Sequence, residues 1–162
     1  DFVFSLGVFN SNIGLERVVT KQPIQKVQVL SHEQYHPNGS TPLFDAIGEA
    51  AADLDKWTGP VLLIIQTDGE ENCSRKQTKD TITQLVADKT KAGWQFAYLG
   101  CDLDAMHAGQ QIGIHAANTM SYAGGQSVSA MRHVAGQTVA YAAQGSTPTQ
   151  DFFTPTKSAA KQ

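Results

Sequence analysis

Long apolar runs are missing from this sequence, and none approaches the roughly 20 residues that a membrane-spanning helix requires. A charged segment leading into an apolar stretch is missing at the start, so no secretory leader is expected. Cysteine is scarce. Cys73 and Cys101 are the whole complement and lack Cys-x-x-Cys spacing, which excludes a disulfide framework and leaves two reduced thiols of a cytoplasmic protein as the expectation. Charge of either sign is not in large excess: the net value is −3, so no footprint for nucleic acid or an anionic membrane is present. Phosphate-cradling Gly-x-x-x-x-Gly-Lys-Ser/Thr loops and Gly-x-Ser-x-Gly nucleophile elbows are absent too.

What is present suits an ordinary globular domain. Of 162 residues, 41% are apolar and 17% charged, enough for one sizeable core. The chain opens at Asp1 inside a β-rich stretch, "FVFSLGVF", which reads as a buried strand over 2–9. "LERVVTKQ" (15–22) mixes β-branched and charged residues before Pro23 and reads as an edge strand. "TPLFDAIGEAAADLDKW" is the clearest helix, with Thr41 as N-cap, Pro42 at the first helical position, and Leu43, Ile47, Ala50 or Ala51, and Leu54 on one face. "VLLIIQ" (61–66) is a continuous apolar run, as a central parallel strand should be.

Further along, Thr78 caps a helix that ends at Gly93, "WQFAYLG" (94–100) is another strand, and a short helix over 103–112 ends at Gly113. A last short strand within "ANTMSYAG" and an Ala-rich helix over 126–143 complete a domain at 1–144. Residues 145–162 are polar and read as a tail or a docking arm. The alternation predicts an α/β fold: a doubly wound, mostly parallel sheet with helices on both faces, a three-layer Rossmann-like sandwich with one antiparallel edge strand. Ligands of such sheets bind outside the carboxyl ends of the strands, where "TDGEENCSR" lies.

Three candidate sites compete. "HEQYH" places His32, Glu33 and His36 in the zinc-hydrolase pattern, which needs both histidines on one helical face. Pro37 after His36, followed by Asn38-Gly39, makes a loop of that segment instead. Cys73 as a nucleophile is opposed by the carboxylates at 68, 70, 71, 102 and 104, which raise a thiol pKa. Thr41 at a helix start and Asp68 at a strand end offer oxygen ligands of the kind a hard divalent cation takes.

"YHPNGSTPLFDAIGEA" (35–50) followed by "VLLIIQTDGEENCSR" (61–75) resembles the von Willebrand factor type A domain, most of all its prokaryotic and phage-encoded members. "FSLGVFNSN" resembles the family's second strand and "GWQFAYLGCD" its fifth, so the resemblance covers roughly 1–125. It implies a metal-ion-dependent adhesion site in which Thr41 and Asp68 bind Mg2+ (or Mn2+ or Ca2+). Ser40, Glu70 and Glu71 would form a second layer or the ligand rim. The implied function is binding without turnover, hence no enzyme: an acidic residue of a partner protein completes the cation's shell, in the cytoplasm or on a phage particle. A structural subunit of such a particle, independent of metal, is the alternative.

The family's Asp-x-Ser-x-Ser element and its first strand, central in that sheet, are missing. The resemblance therefore implies upstream residues, a strand or subunit from a second chain, or a rearranged sheet, since a bare pair of edges is a liability. Aligning Asn10 and Asn12 with the missing motif would forfeit its carboxylate. With two oxygen ligands only, this fragment alone holds no cation usefully. The family's strand order also brings the thiols of Cys73 and Cys101 near each other, with two free thiols still expected.

Overall fold

The structure, a computed structural model, describes residues 2–29, 31–34 and 38–153. The chain is α/β, and it divides into two compact units: 1–57 with 70–82, and 58–69 with 83–162.

The first unit holds an antiparallel pair, β1 (Val3–Asn10) and β2 (Gly14–Pro23), and the helix α1 (Leu43–Leu54). Asn10 makes the turn between the strands: its side-chain oxygen accepts from the N–H groups of Asn12 (2.8 Å) and Ile13 (3.2 Å), and Gly14 takes the left-handed conformation at φ 64°. Asn12 donates to the Asn38 side chain at 3.1 Å. The Asn10 side chain is therefore occupied in building the hairpin turn, and that of Asn12 in a bond to the loop at Asn38. α1 buries Leu43, Ala46, Ile47, Gly48 and Ala51, which takes in Leu43, Ile47 and Ala51 of the face its spacing predicts, while Leu54 is only partly buried. Arg17 of β2 bonds Asp53 of α1 at 2.7 Å and lies 3.6 Å from Glu49, which also pairs with Lys76 at 2.9 Å.

The second unit is a three-stranded parallel sheet in the order β3 (Leu62–Thr67), β4 (Gln95–Cys101), β5 (Thr119–Tyr122). Each crossover carries a helix: α2 (Lys79–Lys91) between β3 and β4, and α3 (Asp102–Gln111) between β4 and β5. Thr78 caps α2 through its Oγ1, which accepts from Thr81 N–H at 3.3 Å. Gly93 (φ 93°) and Gly113 (φ 88°) close α2 and α3, as only glycine does cheaply. The two faces of β4 are covered differently. Gly109 of α3 sits on the Tyr98 ring, where an added Cβ would meet Tyr98 Cγ at 2.8 Å. On the opposite face, Ala130 and Val134 of α4 (Ser127–Ala143) pack on Leu99, and Tyr141 on Ala97.

Parallel strands joined through helices form as expected, but among the described residues no single sheet joins all five strands. The strands lie in two separate sheets, and β3 is an end strand while β4 is the middle one, buried from Gln95 to Gly100. An apolar run marks burial of side chains and not the presence of neighbours on both edges, which is why the sequence misplaces β3. The polar segment from 145 onward, read as a tail or docking arm, lies on the second unit as far as Phe153. The buried amide of Gln95 accepts from Thr149 N–H at 2.6 Å, Asn118 donates to the Thr149 carbonyl at 2.9 Å, and Asn118 accepts from Phe152 N–H at 2.8 Å. Phe152, 3% exposed, fills the gap between Ala97 and Tyr141. Residues 154–162 lie outside the described residues.

Candidate functional site

The first four N–H groups of a helix lack partners within it, so something must meet them at the start of α1. Thr41 does not: the capping position belongs to Pro42 (φ −80°, ψ 62°), whose side chain offers no acceptor. The acceptors come from the loop 70–77 instead. Glu71 Oε2 accepts from Phe44 N–H at 2.9 Å and Ser74 Oγ accepts from Asp45 N–H at 3.0 Å. Glu71 also accepts from Cys73 N–H (2.9 Å), Ser74 N–H (2.7 Å) and the Ser74 hydroxyl (2.7 Å). α1 answers through Asp45, whose carboxylate accepts from the N–H groups of Arg75 (2.9 Å), Lys76 (2.9 Å) and Gln77 (2.7 Å).

These bonds set the electrostatics of the loop. Burial works to raise the Glu71 pKa, but the bonds from Phe44, Ser74 and Cys73 outweigh it and hold the carboxyl below its ordinary range. Asp45 behaves likewise: burial pushes up, and the three backbone donors with the Lys76 charge pull it lower overall. Cys73 moves the other way, raised by burial first and then by the Glu71 charge, so the thiolate is suppressed as an acidic neighbourhood requires. Among the described residues, neither Cys73 nor Cys101 is in a disulfide.

Thr41 is held by its backbone: its N–H donates to Asn72 Oδ1 at 2.9 Å and its carbonyl accepts from Asn72 N–H at 3.2 Å. Neither bond uses the hydroxyl. Ser40 is exposed and its backbone is bonded on both sides to Ser11: its N–H donates to the Ser11 Oγ and its carbonyl accepts from the Ser11 N–H, each at 2.9 Å. The first unit thus gathers Ser40, Thr41 and Glu71 around the start of α1.

Asp68 belongs to the second unit, one residue past the carboxyl end of β3, and it is exposed. The buried Thr67 pins this turn: its hydroxyl donates to the Gly69 carbonyl at 2.9 Å and accepts from Gly69 N–H at 3.2 Å. Glu70 is exposed in the first unit. Sequence reasoning sets Asp68 apart as a ligand and pairs Glu70 with Glu71 as the rim, but the structure gives Glu71 a task of its own. Glu71 is a helix cap with its carboxylate committed to four bonds, and its place in the sequence just past a strand gave no means of seeing this.

Of the "HEQYH" residues, His36 and the His32 side chain lie outside those described. His32–Gln34 form a single 3-10 turn, too short to present residues four apart on one face. Among the described residues, no group of three or more His, Cys, Asp or Glu stands where it could hold a metal ion. One exposed carboxylate and one hydroxyl do not by themselves fit a divalent cation, which takes about six or more oxygen donors. No described helix is long and apolar enough to cross a membrane. Neither a family model, nor a curated protein, nor a solved structure matches the chain.

Proposed function

We propose that this chain is a protein-binding module of the von Willebrand factor type A kind, a doubly wound domain with a cation-dependent adhesion site to which Asp68 contributes a carboxylate ligand. The observation that carries the reading is Asp68: an exposed carboxylate at the carboxyl end of a parallel strand, on a turn that the Thr67 hydroxyl fixes. Fixing the backbone there serves binding, because less entropy is then lost when a ligand orders the loop. Glu71 contributes stability to the start of α1 rather than a ligand oxygen, which leaves Glu70 as the rim residue of the pair. Recognition in this reading is of an acidic group on a partner protein, with no chemical turnover.

Mn2+ titration followed by amide NMR tests it, because a paramagnetic ion broadens signals near its site even when it binds weakly. Broadening that begins at Asp68 and disappears in Asp68→Ala is the expected result. Broadening centred on His32, unaffected by Asp68→Ala, would sink the proposal in favour of the histidine site. Uniform broadening without a centre would move the weight to a metal-independent structural subunit.

A further inference from the structure

An asparagine loses its side-chain amide when the backbone nitrogen of the next residue attacks Cγ. That nitrogen must first be free of hydrogen bonds, and breaking one lowers the reactive fraction by about fivefold. The chain has five asparagines, and four of them are followed by an N–H that is engaged. After Asn10, Ser11 N–H donates to the Ser40 carbonyl at 2.9 Å, and after Asn12, Ile13 N–H donates to Asn10 Oδ1 at 3.2 Å. Cys73 N–H donates to Glu71 Oε1 at 2.9 Å and Thr119 N–H to the Ala116 carbonyl, which protects Asn72 and Asn118.

Asn38 lacks this protection. It is exposed, as is Gly39, and among the described residues nothing accepts from Gly39 N–H. Its side-chain carbonyl is also polarised: Asn38 Oδ1 accepts from Asn12 Nδ2 at 3.1 Å, which draws electron density from Cγ, the atom to be attacked. The fold itself requires the glycine that leaves the nitrogen uncovered. Gly39 takes φ 78°, and a Cβ there would meet Ser11 Oγ at 2.7 Å, so a shielding side chain has no room.

We propose that Asn38 is a modification site, at which the Gly39 nitrogen brings about spontaneous deamidation in the folded chain. The bond from the Gly39 nitrogen to Cγ forms, the bond from Cγ to the side-chain nitrogen breaks, and ammonia leaves with the proton from Gly39. Water then opens the five-membered succinimide at either carbonyl, giving an aspartyl or an isoaspartyl residue. The aspartyl product adds one negative charge to a chain of net charge −3 and keeps the bond from Asn12, now to a charged acceptor. The isoaspartyl product instead inserts a methylene into the main chain of a loop that Ser11 holds through both the N–H and the carbonyl of Ser40. The loop leading into α1 is thus altered in charge or in length, according to which carbonyl opens.

Incubation of the full chain at neutral and at mildly alkaline pH, followed by peptide mapping with mass spectrometry, tests this. The expected result is a gain of one mass unit confined to the peptide that carries Asn38, with the other four asparagines unchanged. The rate should rise with pH, because the attacking nitrogen must lose its proton. Asn38→Asp supplies the chromatographic standard for the aspartyl product, and Asn38→Gln, whose longer side chain closes a ring less readily, should abolish the change. The same chain unfolded in urea should react at Asn10 and Asn72 as well, since the bonds that engage Ser11 and Cys73 N–H are then gone. A folded chain that stays unmodified at Asn38 while the unfolded chain reacts there would overturn the proposal. So would a folded chain that reacts at Asn10 or Asn72 as fast as the unfolded one.

Discussion

Replacing Glu71 by alanine tests whether the loop 70–77 holds α1. The substitution removes the acceptor of four hydrogen bonds, one of them to the start of the helix at Phe44. Losing a helix-capping acceptor costs about 0.5–2 kcal/mol. Bonds to a charged acceptor add more where water is excluded, but Glu71 is only partly buried, so the expected loss is about 2 kcal/mol. For a chain of this size that corresponds to a midpoint lower by about 4–8 °C. Urea unfolding at pH 7 and at acid pH is the assay. The sign follows from the direction of the shift: a carboxyl held below its ordinary value of 4.5 stabilises the fold above that value and loses this contribution as pH falls through the folded-state value. The difference between parent and Glu71→Ala should therefore be full at pH 7 and shrink below pH 4.5. A cost under about 0.5 kcal/mol at pH 7, the range of an unremarkable surface change, would refute the reasoning. So would a difference that acid leaves unchanged.

Two further perturbations probe the second unit. The Tyr98 hydroxyl is buried with no hydrogen-bond partner among the described residues, and burial pushes its pKa up to about 12, so Tyr98→Phe should stabilise by about 1 kcal/mol in the same unfolding assay; a clear loss would mean that the hydroxyl has a partner. Phe152→Ala should cost about 3 kcal/mol by opening a cavity beside Ala97 and Tyr141, and should release the Thr149 and Phe152 amides in hydrogen exchange. Unchanged exchange there would show that the bonds of Gln95 and Asn118 suffice without the ring.

Local signals in the sequence were readable where the physics is local. The Thr78 cap, the glycine stops at 93 and 113 and the buried face of α1 each depend on residues within a turn or two. The start of α1 was displaced by one residue because its acceptors lie 27 and 29 positions away, at Glu71 and Ser74. Residues 145–153 are likewise held by partners far away in the chain. Their composition is polar, but a buried amide pair, Gln95 and Asn118, meets their backbone, and one aromatic ring supplies the burial. The end position of β3 was hidden because Val-Leu-Leu-Ile-Ile looks the same with one neighbouring strand or two. As for the site, the sequence located Asp68 at a strand end and read Glu71 as part of its rim, because the capping task of Glu71 is set by a helix start far away in the chain.

The exchange between α1 and the loop 70–77 also orders events in time. α1 leaves the ribosome before the residues that complete its first turn exist, and a helix of 12 residues is marginal by itself. Its first turn is completed only by Glu71, and the loop in turn by Asp45, which collects the N–H groups of Arg75, Lys76 and Gln77. Each half of the first unit thus depends on the other, and ordering either one carries the entropy cost of closing a loop across 27 positions.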